Sequence, residues 1–115
     1  MALNDTSKNL MLEALATVAV FVSAHTADPG TTGTNELTVG PTYVRMAIAW
    51  NAASGGALDS NGTSVIPCDA ADVVAWLGLW SAESAGTFYG SADVTDETFT
   101  AAGTYTVTDF DISIT

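Results

Sequence analysis

Apolar residues change their spacing along this chain. Over residues 5–16 they fall three and four apart: Leu12 with Leu15, and Met11 with Leu15. That spacing predicts a short helix with one apolar side, and Asn4, Asp5 and Thr6 at its start are residue types that cap N-termini. From residue 17 to 25 the period drops to two. Val18, Val20, Val22 and Ala24 face one way, and Ala19, Phe21, Ser23 and His25 the other. Both sides are largely apolar, which predicts a central strand covered on both faces.

A long connection over 26–42 follows. Asp28-Pro29-Gly30 marks a turn within it, and Gly33 and Gly40 add further breaks. Loops of this length in small domains are functional or are ordered by their own contacts. Alternation resumes over 43–50, with Val44, Met46, Ile48 and Trp50 on one face and Tyr43, Arg45, Ala47 and Ala49 on the other. After a loop at 51–56, residues 57–59 and 63–67 read as short strands around Ser60-Asn61-Gly62, an Asn-Gly hairpin signal. Residues 73–81 predict a second central strand. Trp76 and Trp80 share a face with Val74 and Gly78, opposite Val73, Ala75, Leu77 and Leu79. A turn at 81–86 leads to a strand at 87–91, and shorter strands are expected at 97–101, 105–108 and 111–114. One helix and many short strands at close intervals predict a mainly β fold. The expected form is an antiparallel β-sandwich or barrel-like domain with a short N-terminal helix, spanning 1–115 as a single domain.

Composition narrows the partners. Hydrophobic residues make up 48% of the 115 and charged residues 13%, against about 25% charged in ordinary globular chains. Polar surface must therefore come from Thr, Ser, Asn and Gly. Lys8 and Arg45 are the only cations against thirteen carboxylates, a net charge of −11. Such a field repels phosphate backbones and anionic bilayers, so no nucleic acid and no membrane is expected as partner. It suits a basic protein partner, or solubility at high copy number. The apolar run 14–24 is too short to span a bilayer. Asp5 and Glu13 precede it with only Lys8 as a nearby cation, so it does not read as a signal-peptide core. Cys68 is the sole cysteine, which excludes an intrachain disulfide and points to a buried apolar side chain.

Candidate chemistry is sparse. Triad catalysis needs a base, and His25 is the only histidine; bonding to the Asp28 side chain or to loop backbone is its expected role. Asp109 and Asp111 share a strand face, and Asp93, Asp96 and Glu97 form a second carboxylate group, but neither sits in an aromatic-rich stretch of the kind glycoside hydrolysis uses. Asp59-Ser60-Asn61-Gly62 resembles the start of a calcium loop without its later ligands. No catalytic residue, cofactor or metal is expected. Arg45 stands out as the only arginine. A bidentate pair with Glu36 would tie the 26–42 loop, with Asp28 at its turn, to the sheet; the alternative is a pair across a subunit boundary. Trp76, Trp80, Phe88 and Tyr89 are the candidate interface aromatics.

Several segments resemble a family of small tailed-phage proteins, known as tail-fibre or virion structural proteins. They are Met1-Ala2-Leu3-Asn4-Asp5, His25-Thr26-Ala27-Asp28-Pro29-Gly30, Gly33-Thr34-Asn35-Glu36, Tyr43-Val44-Arg45, Trp50-Asn51-Ala52-Ala53-Ser54-Gly55-Gly56, Gly78-Leu79-Trp80-Ser81-Ala82 and Gly86-Thr87-Phe88-Tyr89-Gly90. The resemblance covers most of the first ninety residues. Leu37-Thr38-Val39-Gly40-Pro41 departs from the family's glycine-richer pattern, and the C-terminal quarter matches loosely. It implies a non-enzymatic virion component made in the host cytoplasm and acting through other virion proteins. Surface acidity favours a capsid decoration protein on the particle exterior, as a homo-oligomer, with a trimer at local three-fold positions expected. The alternative is a tail-associated or tail-fibre protein contacting host surface carbohydrate. A carbohydrate-binding module or small hydrolase is the competing class, and exposed, coplanar Trp80 and Tyr89 would mark it.

Overall fold

Asn4 starts the first element. Its side chain accepts the Ser7 backbone N–H at 2.9 Å and opens helix α1 (Asp5–Ala16). The computed structural model describes residues 1–115. Leu12 is the buried residue of this helix and Leu15 packs beside the core, while Met11 and Leu10 stay exposed. The buried side is thus narrower than the spacing of Met11 and Leu15 predicts. Polar contacts hold the helix to the 53–56 loop: Glu13 accepts from the Ala53 N–H, and Asn9 accepts from Gly56 at 2.8 Å.

Strands follow in the order β1 (Phe21–His25), β2 (Met46–Ala47), β3 (Ala57–Asp59), β4 (Ser64–Cys68), β5 (Val73–Trp80), β6 (Phe88–Thr98), β7 (Gly103–Val107) and β8 (Asp111–Ser113). All pairings are antiparallel. A four-stranded sheet runs β2-β1-β5-β6, and β3-β8 and β4-β7 form two-stranded sheets. Val22, Ala24, Tyr43, Ile66, Val74, Leu77, Leu79 and Phe110 are among the side chains packed between them. The mainly β, antiparallel, sandwich-like architecture with one helix is the expected one.

Several boundaries differ from expectation. Residues 17–19 first finish the helix: Thr17 donates to Glu13 and Ala14, and Val18 and Ala19 donate to Leu15. Helix-end carbonyls need donors before a strand can begin. The strand expected over 43–50 shrinks to β2. Tyr43 N–H instead reaches the Asp69 carboxylate at 3.3 Å, and Ser64 Oγ donates to Ala47 O at 2.7 Å. The hairpin expected around Ser60-Asn61-Gly62 does not form. β3 pairs with β8 and β4 with β7, while Ser60 and Asn61 donate to Phe110 and Ala49 carbonyls, so the turn is a corner between sheets. β6 extends past residue 91 to Thr98, so it takes in only residues 97–98 of the strand expected at 97–101, and 99–101 form no strand. The Gly, Ser, Ala and Asp residues of β6 are poor strand formers, but the largely buried β5 templates them. The β5–β6 register shifts between Val74 and Trp76. Val74 joins Leu77 and Leu79 in the core, where strict alternation would set it with Trp76 and Trp80.

Candidate functional site

The 26–42 loop lies against the sheet through a buried polar network. Arg45 Nε donates to Glu36 Oε2 at 2.8 Å and Nη2 to Oε1 at 2.9 Å, a bidentate pair. Its Nη1 donates to the carbonyls of Ala82 and Ala85 at 3.0 and 2.7 Å, so one guanidinium joins two loops. The guanidinium carbon also sits 3.6 Å from the Trp80 ring centroid, a cation–π contact. Tyr43 Oη donates to Glu36 Oε2 at 2.8 Å and accepts the Ala24 N–H at 3.0 Å. These donors hold the Glu36 carboxyl below its ordinary pKa even though burial alone pushes it up. Burial drives the Tyr43 phenol upward, so it stays protonated. Asp28 does not reach Arg45: it accepts the Gly30 N–H at 2.8 Å, and its backbone carbonyl accepts from Asn35. It shapes the turn while Glu36 makes the charged contact.

Ser23 and His25 are neighbours on the same face of β1, with Oγ to Nε2 at 2.6 Å. His25 Nδ1 lies 2.8 Å from Thr34 O. A carbonyl only accepts, so Nδ1 carries the proton, Nε2 is the acceptor and Ser23 donates to it. Trp80 Nε1 donates to the same Ser23 oxygen at 2.8 Å. Burial lowers the His25 pKa and keeps the ring neutral. The pair has the spacing of a nucleophile and its base, but both residues are fully buried. Gly78 closes it from below, where an added Cβ would lie 2.5 Å from Ser23 Oγ and 2.7 Å from His25 Nε2. His25 therefore bonds loop backbone, at Thr34, and not the Asp28 side chain.

The four candidate aromatics do not form one surface. Trp80 is 8% exposed, covered by Arg45 and edge-on to Phe88 with centroids 5.1 Å apart. Gly33 lies against that indole, and its φ of +80° suits glycine. Trp76 and Phe88 are half-buried, and Tyr89 is exposed. Tyr89 is the extra residue where Leu79 pairs Gly90 and Trp80 pairs Phe88, so a bulge turns it outward. Exposed, coplanar Trp80 and Tyr89 are absent.

Tyr89 instead helps line a groove of about 290 Å³ whose walls include β6 and β8. Leu15, Leu79, Phe110 and Ile112 give it an apolar floor, and Asp111 stands on its rim. Asp59 and Asp111 are cross-strand partners, and Asp109 lies beside them. Hydrogen bonding to Asp109 and Asp59 pushes the Asp111 carboxyl up to about 6. Asp93, Asp96 and Glu97 lie along the exposed far half of β6.

Residues 3–115 match the family model described as podophage GP4 fiber I protein gp80. The chain belongs to this family. No curated protein and no solved structure matches it. Membership makes it a phage structural protein of the virion, and the fibre description stands closer to the tail-fibre expectation than to capsid decoration. In this fiber I family member, most of the segments that carry the resemblance converge on the buried network. His25, Thr34, Glu36, Tyr43, Arg45, Gly78, Trp80 and Phe88 all belong to it. Ser23 and Gly78 were not singled out as network members from sequence, although Ser23 and His25 two apart on an apolar strand were a visible signal. The β6–β8 groove had no local signal, because its walls come from distant parts of the chain.

Proposed function

We infer that this protein is a non-enzymatic fibre component on the exterior of a tailed-phage virion, associated with the tail and working through contacts with other virion proteins. The observation that carries the reading is the family match over residues 3–115. The geometry supports it. The one nucleophile–base pair is sealed inside the core and works as a structural strut. Arg45 with Glu36 acts as a lock that keeps the 26–42 loop rigid. The chain acts as one domain, assembles as a homo-oligomer with a trimer as the expected state, and is made in the host cytoplasm. Half-buried Trp76 and Phe88 with exposed Tyr89 supply interface area, whereas Trp80 is spent inside its own subunit. The net charge of −11 keeps nucleic acid and anionic membranes away and favours cationic protein surfaces. The same charge is what favours capsid decoration as the second reading. Gold-labelled antibody on purified particles separates the two: label on the tail is expected, and label confined to the shell overturns the fibre placement.

A further inference from the structure

β6 and β8 are each the last strand of their sheets, and residues 89–92 of β6 and 111–113 of β8 line the same apolar groove. An unpaired edge presents a row of N–H and C=O groups that a further strand can complete. Proteins protect such edges with charge, and β6 is charged along Asp93, Asp96 and Glu97. The stretch Tyr89–Ala92 that borders the groove carries no charge at all. Protection therefore stops where the groove begins. We propose that this groove takes an extended, lysine- or arginine-bearing segment of another virion protein, added as a strand along β6 and bridging it towards β8.

Charge selects that occupant. Asp111 on the rim is crowded by Asp59 and Asp109, and Asp93 follows directly after the uncharged stretch. A cationic side chain above the apolar floor relieves this repulsion. A second copy is a poor guest, since it also carries −11 and its Arg45 is committed to Glu36, which leaves Lys8 as its one other cation. The proposal rests on the reading of the chain as a virion structural protein.

The test uses the full-length protein labelled with nitrogen-15 and two synthetic heptapeptides. One is Lys-Thr-Val-Thr-Val-Thr-Lys, and its twin carries Glu in place of Lys. The basic peptide is expected to slow amide exchange within 89–92 and 111–113, to bind about tenfold more tightly than the acidic twin, and to weaken as salt rises. Gly90→Leu adds a side chain at a groove-lining position where a Cβ meets nothing within 4 Å. This variant should fold normally and lose binding by about tenfold or more. Asp111→Asn should weaken it less. Protection elsewhere, equal binding of the twin, or unchanged binding to Gly90→Leu overturns the proposal. So does concentration-dependent self-association that protects the same amides without peptide. Protein absent from purified particles would undo the virion reading, whereas protein present on particles with no peptide protection at the groove removes the groove proposal alone.

Discussion

Replacing Arg45 by alanine removes a guanidinium that makes four hydrogen bonds and covers the Trp80 ring. What remains is a Glu36 carboxylate facing the interior with only Tyr43 as donor, and the Ala82 and Ala85 carbonyls without this partner. Removing one member of a buried pair costs about 3–5 kcal/mol, most of it from the stranded charge. Glu36 keeps 18% of its side-chain surface exposed, so water recovers part of that. The lower end, about 3 kcal/mol, is the expected loss. A domain of this size holds about 6–17 kcal/mol in all, so the variant should stay folded but lose a large fraction of its stability. The melting temperature should fall by about 10–15 °C. Urea titration gives the free energy, and hydrogen exchange reports the loop. Exchange should rise across residues 26–42 and around Ala82–Ala85, and little in β4 or β7. Glu36→Gln should cost less, about 1–2 kcal/mol, because the amide still accepts. A double-mutant cycle should return a coupling above about 1 kcal/mol. A loss under about 0.5 kcal/mol with unchanged loop exchange would refute the lock.

Gly78→Ala should destabilise by about 1–3 kcal/mol, read by urea titration, because its Cβ enters the space held by Ser23 and His25; a neutral result would mean β5 yields there freely. Hydrogen bonding to Asp109 and Asp59 pushes the Asp111 carboxyl from its ordinary 3.8 up to about 6, so its contribution to the fold is lost as pH rises from about 3.8 through about 6. Asp111→Asn should abolish that loss, and identical urea midpoints for both proteins from pH 5 to 8 would contradict it. His25 and Glu36 work in the opposite direction. Both are held below their ordinary values, 6.5 and 4.5, so their contributions fade as pH drops below each in turn, and His25→Gln should flatten the first of these losses. Cys68 is fully buried with its thiol pushed up to about 11, so thiol reagents should label it only as fast as the protein opens; rapid native labelling would refute that burial.

Periodicity made some of this fold legible and tertiary demand hid the rest. Residues 5–16 and 57–59 were bounded as the chain folds, because Asn4 is a local cap and the short strand has local breaks on both sides. β5 was legible for a different reason: a strand buried on both faces is apolar throughout. β6 was legible only at its start, where Phe88 and Tyr89 favour a strand; further along, Ala, Asp and Glu are poor strand formers and the pairing is imposed by β5. The Asn61-Gly62 signal points to a hairpin because local turn chemistry does not reveal that β7 and β8 will claim the two strands. Arg45 and Glu36 invited pairing because only one arginine follows the loop. Trp80 looks like a surface candidate in sequence, since nothing in its own segment shows that Arg45, Gly33 and Ser23 will enclose it.

The pairing of β3 with β8 and of β4 with β7 also sets the order in which this chain can be finished. Both early strands leave the ribosome well before their partners exist, and the corner at Ser60 waits for Phe110 in the same way. Contacts so distant in sequence close slowly, because the loop entropy must be met before the strands reward it. Until then β4 offers Val65 and Ile66 on an open ladder, the kind of segment that joins strangers. A chain with −11 of charge and two cations carries its own remedy: nascent copies repel one another during the interval in which they are most adhesive.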